Sequence, residues 1–150
     1  MSRYLVVAHQ TAGSPEVVER VREIAGTDPA AEFVLLVPAT PVSHLLLWEE
    51  GETLKIARRR AETAKARLQA VTTQAVAARV GDGSPLQAIA DELTQHPGYD
   101  AILISTLPPG MSRWLRMDLP RRVARQFSIK VIHVVAQPTV SDAGRTASET

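Results

Sequence analysis

The sequence predicts a single α/β domain of the doubly wound, Rossmann-like type, in which about four helices cover both faces of a five-stranded parallel sheet. Two observations carry this prediction. Short apolar runs alternate with longer segments of helical periodicity, and the apolar runs lack the polar alternation of half-exposed strands. The length of 150 residues suits one such domain with a core of its own.

Five runs have the length and the residue types of strands. The first is rich in valine, and Pro38 follows the second run and ends it. The third is the weakest of the five because alanines replace larger apolar residues. The predicted strands are residues 4–8, 32–37, 74–80, 101–106 and 130–136.

Helix starts are marked twice by the same device, a turn with glycine, a capping serine and a proline at the first helical position. Residues 14–15 start a helix that Gly26 ends, and residues 84–85 start one that ends before Pro97. The longest helix, residues 52–71, carries an apolar stripe at spacings of three and four. A further helix is predicted after Asp118, whose side chain is expected to cap it.

The remaining segments are predicted as loops and a tail. Residues 39–50 form a loop in which residues 45–48 suit a short helical turn, and their leucines with Trp48 either dock on the core or form a partner surface. Residues 107–117 form a second loop. Small and polar residues over 138–150 predict a disordered tail, so the domain is expected to span residues 1–137.

Composition excludes several classes of protein. No cysteine is present, which excludes a disulfide framework and favours a reducing compartment, so we expect a cytoplasmic protein. The net charge of +1 gives no global attraction to nucleic acid or membrane, and no apolar run suits a signal core or a membrane span. His9, His44, His96 and His133 lie on separate elements, so no metal site is expected.

Several features together point to a known family. A valine-rich first strand runs into the Gly13-Ser14 turn, and a long helix follows the second strand. Residues 81–85 place glycine and proline before a helix that carries isoleucine. Two apolar segments complete the set, residues 99–105 and residues 129–135. In this order and spacing, the features resemble the universal stress protein family over most of the chain.

The resemblance implies a fold, an assembly and a ligand. It implies the strand order 3-2-1-4-5 and homodimers paired through the fifth strand, at Val131, His133 and Val135. Many members of the family bind ATP where the strand order reverses, so the resemblance also implies ATP as a ligand.

The nucleotide-binding glycines of that family are missing, so the chain resembles a divergent member. The family's motif after the fourth strand begins with two glycines, and Ser105 and Pro108 stand in their places. Met117-Asp118 replaces the glycine and hydroxyl residue that close the motif, and His9 stands where members usually carry an aspartate after strand one. Proline offers no amide to a phosphate. We therefore assign no cofactor to the chain, and ATP and AMP are disfavoured as ligands.

The ligand crevice is expected at the carboxyl ends of the strands. His9 either contacts a ligand there or is a hydrogen-bonded structural residue. In the loop of residues 108–116, Arg113 and Arg116 flank Trp114, which either binds an anionic or aromatic ligand or folds back as a lid on the core. The predicted ligand-binding residues are His9, Gln10, Thr11, Pro38, Ala39, Thr106, Gly110 and Arg113.

These features predict a non-enzymatic, universal-stress-like homodimer with a stress-response or regulatory role and a crevice degenerate for ATP. The alternative is an ATP- or AMP-binding protein of the same family in which Arg113, Arg116 and Arg121 replace the glycine amides. An enzyme of the wider adenine-nucleotide α-hydrolase-like superfamily is a third interpretation, but the sequence has no serine elbow and no P-loop. Nucleic acid is disfavoured as a partner because the basic segment would need aromatics or glycines behind it, and it offers a single tryptophan.

Overall fold

The computed structural model describes residues 2–39 and 50–137 of the chain, and these form alternating strands and helices. In chain order the elements are β1 Arg3–Val7, α1 Pro15–Thr27, β2 Glu32–Pro38, α2 Glu50–Gln69, β3 Val76–Gly81, α3 Pro85–Gln95, β4 Ala101–Thr106, α4 Arg113–Arg116, α5 Leu119–Phe127 and β5 Lys130–Val135.

All five strands run parallel in the order β3-β2-β1-β4-β5. This confirms the predicted fold class and the strand order that the family resemblance implied. β1 lies at the centre, where Val7 is paired with Leu36 of β2 and with Ile104 of β4. Because the strands are parallel, their carboxyl ends meet at one edge of the sheet.

Alternate residues of each strand face two separate cores. In β2, Phe33, Leu35 and Val37 pack with α1 and α2, whereas Val34 and Leu36 pack with α3, α4 and α5. Strands buried on both faces need apolar residues at every position, which is why these runs showed no polar alternation.

The two predicted serine caps are confirmed. Ser14 Oγ accepts a hydrogen bond from the Val17 amide at 3.3 Å, and Ser84 Oγ accepts one from the Gln87 amide at 3.4 Å. The glycine before the second cap also has a packing role, since a Cβ on Gly81 would lie 2.9 Å from the Cβ of Ala88. Glycine therefore lets α3 pack closely on the end of β3.

Three expectations about helices were wrong. The predicted loop of residues 107–117 contains the short helix α4, so the described residues hold five helices rather than about four. Asp118 occupies the N-cap position of α5 in the left-handed conformation, and its side chain makes no capping hydrogen bond. Gly26 does not end α1, which continues through Thr27 before the Asp28 amide bonds to the Ile24 carbonyl.

Some predictions fall outside the described residues. The suggested helical turn over residues 45–48, with Trp48, and the tail of residues 138–150 belong to this group. The division into a domain of residues 1–137 and a tail therefore stays a prediction.

Candidate functional site

The candidate site lies where the order of the strands reverses. From β1 the chain crosses to β2 on one side, and from β3 it crosses back to β4 on the other side of β1. The loops that follow β1 and β4 therefore leave the sheet in different directions. A crevice between such loops is where doubly wound sheets bind ligands.

His9 follows β1 at this point and is 8 % exposed. Its Nε2 atom is buried and receives no hydrogen bond from any residue that the structure describes. Burial, and after it the positive charge of Arg60 on α2, lowers the pKa of His9 to about 4. The imidazole is therefore neutral at neutral pH and holds a buried polar atom without a partner.

Two hydroxyl groups join the loop after β1 to the end of β4. Thr11 Oγ1 and Ser105 Oγ lie 2.6 Å apart, and the residues are 6 % and 1 % exposed. The loop itself is shaped by backbone bonds from the Ala12 amide to the His9 carbonyl and from the Ser14 amide to the Thr11 carbonyl. The contact that joins the two segments is thus polar but uncharged.

Helix α2 braces the same loop from one face of the sheet. The guanidinium of Arg67 donates a hydrogen bond to the carbonyl of Gly13, and Arg60 lies close enough to His9 to influence its pKa. Both arginines belong to one face of α2, because seven residues correspond to about two helical turns. The long helix therefore fixes the position of the loop that carries His9.

The loop after β4 uses many of its amides internally. Pro108 and Pro109 have no amide hydrogen, and the Met111 amide donates to the Pro108 carbonyl at 3.0 Å. Ser112 Oγ accepts from the Leu115 amide at 3.2 Å, which starts α4.

The amides that follow are also engaged. Those of Arg116, Met117 and Asp118 donate to carbonyls of residues 112, 113 and 115 at 3.1–3.3 Å. The amides of Met111 and of residues 115–118 are thus already engaged, and a phosphate could use them only if these bonds broke.

Trp114 folds back on the core, as one of the two interpretations of this loop predicted. Its side chain packs with the α3, α4 and α5 core, and the residue is 8 % exposed. Arg113 and Arg116, on either side of it, are exposed. An aromatic ligand therefore has no tryptophan face to stack on at this loop.

The other predicted site residues occupy different surroundings. Pro38 ends β2 beside Gly81, and the Ala39 amide bonds to the Gly81 carbonyl, so both are engaged with β3. Thr106 is buried, and its Oγ1 lies 2.8 Å from Nε2 of His133. Gln10 is half-buried beside His9, and Gly110 is exposed with a φ of 90°.

The structure therefore brings some predicted site residues together and leaves others apart. His9 and Thr11 share the loop after β1, and Thr11 reaches the end of β4 through Ser105. No hydrogen bond among the described residues links Gly110 or Arg113 to that loop. The assignment of these residues to ligand binding stays a prediction.

Neither a metal centre nor a membrane span is visible in residues 2–39 and 50–137. No group of three metal-ligating side chains occurs within them. None of the helices described is long and apolar enough to cross a bilayer.

The chain matches no protein-family model and no curated protein. Among solved structures it is similar to a universal stress protein in complex with cAMP, with 19% sequence identity and a TM-score of 0.60, over 90% of this chain and 97% of that one. Protein Rv1636 from Mycobacterium tuberculosis H37Rv shows 17% identity and a TM-score of 0.48, over 87% and 92% of the two chains. At 19% identity the first likeness establishes a shared α/β fold, and the second adds nothing to it.

Two contributors to the site were missed by sequence reasoning. Arg60 and Arg67 receive no role in the sequence analysis, although their spacing of seven places them on one side of α2. That signal was present, but nothing in the sequence showed that this side meets the loop after β1.

Proposed function

We propose that this chain is a universal-stress-like protein without enzymatic activity, with a stress-response or regulatory role, whose crevice binds a small ligand other than ATP. One observation carries the proposal: after β4, the Met111 amide is used in a turn, and the amides of residues 115–118 are used in α4 and at the start of α5. A triphosphate needs those amides, and two prolines in the same loop have none to offer.

The charge at the start of α5 supports the same conclusion. Asp118 stands there with an exposed carboxylate that caps nothing. At about 4 Å, two like charges cost about 1 kcal/mol in water and about 4 kcal/mol near a protein surface. A triphosphate in the family's usual position would meet this repulsion.

A ligand with hydrogen-bonding groups and little charge suits the other side of the crevice. The Nε2 atom of His9 has no partner among the described residues, and the imidazole is neutral at physiological pH. A buried polar atom without a partner calls for an explanation, and a bound ligand would supply one here.

The absence of enzymatic activity is proposed from the accessibility of the hydroxyl groups. Thr106 and His133 form a hydroxyl–imidazole pair, the arrangement that activates a nucleophile. Thr106 is 2 % exposed, however, so its oxygen is closed to a substrate. Ser105 is buried to the same degree.

We further propose a cytoplasmic homodimer paired through β5. β5 is an edge strand, and Val135, at 36% exposure, is its most exposed large apolar side chain. An edge strand with unpaired backbone groups favours pairing with a second copy. The lack of cysteine supports a reducing compartment.

Isothermal titration with Mg-ATP, AMP and cAMP tests the ligand part of the proposal. We expect a Kd for Mg-ATP weaker than about 10 µM, because the loop amides are already engaged. Tighter binding of Mg-ATP would disprove it. Electron density in the crevice of protein purified without added ligand would identify the small ligand directly.

A nucleotide with one phosphate is the second candidate. It is favoured by the fold shared with a universal stress protein in complex with cAMP. Arg113, Arg116 and Arg121 are exposed and would hold the single phosphate in place of the glycine amides. Micromolar binding of cAMP or AMP that Arg113→Ala removes would establish this alternative.

A further inference from the structure

Charge is distributed unevenly along this chain. Residues 113–130 contain six basic residues and one acidic residue, a net charge of +5 in a chain whose total is +1. The rest of the chain therefore carries a net charge of −4. Five of the basic residues lie on α4 and α5 and are called the basic face below: Arg113, Arg116, Arg121, Arg122 and Arg125.

The buried side of α5 forces its arginines to the outside. Leu119 and Val123 are fully buried in the core, and Arg121, Arg122 and Arg125 occupy the opposite side of the helix. α4 packs beside α5 with Trp114 inward. Its two arginines are exposed as well, so the basic face extends over both helices, with Asp118 as the one acidic residue between them.

None of these arginines is neutralised within the part of the chain that the structure describes. The ion pairs there join Arg20 to Glu23, Arg22 to Glu19 and Arg79 to Glu92. With the residues that the structure describes, the basic face forms no such pair and no side-chain hydrogen bond. Unpaired like charges repel one another, so this cluster costs stability rather than adding it. A partner of opposite charge would remove that cost.

Two kinds of anionic partner suit the face poorly. Insertion into a bilayer needs exposed apolar side chains beside the charges, but Leu119 and Val123 are buried. Single-stranded nucleic acid needs an exposed aromatic surface, but Trp114 is packed in the core.

We propose that the basic face docks a short acidic segment of a partner protein. The charge balance favours a short partner over a long polyanion. Electrostatic attraction reaches about 8 Å at physiological ionic strength, so a compact acidic segment interacts with the basic face alone. A duplex or a membrane plane would extend beyond the basic face, and the rest of the chain carries a net charge of −4. A guanidinium group can donate two parallel hydrogen bonds to one carboxylate, and such paired bonds would orient the acidic segment on the basic face.

Fluorescence anisotropy with a labelled oligoglutamate peptide and the full chain tests this proposal. We expect salt-dependent binding that the double charge reversal Arg121→Glu with Arg125→Glu weakens about tenfold or more. The matched control is Arg58→Glu with Arg59→Glu, two exposed arginines of α2 on the other face of the sheet. It changes the net charge equally, and we expect it to weaken binding less than about twofold.

Four results would overturn the proposal. They are the absence of peptide binding up to about 1 mM, an equal loss in the α2 control, tighter binding to duplex DNA or anionic vesicles than to the peptide, and displacement of the peptide by cAMP or AMP. The last result would assign the arginines to a nucleotide site. Unchanged circular dichroism and Tm of both double variants would show that the folds are intact.

Discussion

Glu92 and His9 are two buried titratable residues with opposite surroundings. Glu92, on α3, is 5 % exposed and fully partnered. Arg79 donates two hydrogen bonds to its carboxylate at 2.9 and 2.8 Å, and the Tyr99 hydroxyl donates a third at 2.7 Å. His9 is 8 % exposed, and its Nε2 has no partner among the described residues.

The pKa values follow from these surroundings. Burial alone would raise the pKa of Glu92, but hydrogen bonds from Arg79 and Tyr99 outweigh it and hold the pKa below its usual value. Burial and the hydrogen bond to Glu92 raise the pKa of Tyr99 to about 12, so the phenol remains a donor. Nothing offsets burial at His9, whose pKa falls to about 4.

The two residues differ in whether their buried polar atoms are satisfied. The carboxylate of Glu92 has its hydrogen-bond donors, whereas Nε2 of His9 has no partner among the described residues. The Glu92 cluster ties α3 to β3 and to the segment before β4, and both carboxylate oxygens accept hydrogen bonds within it. A buried atom without a partner costs stability. His9 therefore weakens the fold where it stands.

The largest expected effect comes from breaking the satisfied cluster. Arg79→Met keeps the aliphatic stem but leaves the Glu92 carboxylate with one donor, so we expect a loss of about 2–3 kcal/mol at neutral pH. Because the folded-state pKa of Glu92 is depressed, its contribution is present above the unfolded value of 4.5 and is lost as pH falls through the folded value. The difference from wild type should therefore shrink below about pH 4. Urea denaturation measures it.

Arg22→Met is the matched control for this variant. Arg22 pairs with Glu19 at 3.5 Å, and both side chains are more than half exposed. Exposed pairs contribute about 0–1 kcal/mol. A loss as large as that of Arg79→Met would mean that burial does not distinguish the two pairs.

The second effect tests the unsatisfied site. A histidine whose folded pKa lies below its unfolded value contributes fully above pH 6.5 and loses its contribution as pH falls toward 4. At about pH 5, wild type should therefore have lost about 2 kcal/mol that His9→Leu retains. At neutral pH the variant should be as stable as wild type or about 1 kcal/mol more stable. Unfolding curves at both pH values measure this, and an equal difference at the two would contradict it.

A smaller effect concerns the packing of the helix that carries Glu92. Gly81→Ala places a Cβ 2.9 Å from Ala88 and 3.0 Å from Leu36, so we expect a loss of about 1–2 kcal/mol in thermal unfolding. Gly26→Ala is the control, because a Cβ there meets nothing within 4 Å. In the helix α1 it should stabilise the protein by about 0.5–1 kcal/mol. Equal behaviour of the two variants would refute close packing at Gly81.

The smallest effect is the hydroxyl pair at the crevice. Thr11→Val or Ser105→Ala leaves one buried hydroxyl without its partner, and each should cost about 1 kcal/mol. The double variant should cost less than the two together, because no unpaired hydroxyl remains. A double-mutant cycle in urea measures this coupling, and strict additivity would show that the bond contributes nothing.

Local chemistry made much of the fold predictable. Ser14 and Ser84 cap helices because serine followed by proline specifies a helix start within a few residues. The same reasoning failed at Asp118. Its backbone is left-handed rather than extended, and its carboxylate makes no capping hydrogen bond to α5. The short helix α4 was missed because two prolines and a glycine predict a loop. The helix that Ser112 caps is only four residues long, too short to show a periodic pattern.

The sequence by itself determined the order of the elements, the burial of the strands on both faces and the position of His9 at the end of β1. Periodicity and turn residues act over a few neighbouring residues, so the helices and strands that they specify can be recognised in the sequence. Only the tertiary structure decided that Thr11 meets Ser105, 94 residues away, and that Arg60 of α2 lies near His9. Such contacts depend on strand order and helix packing, which no local pattern encodes.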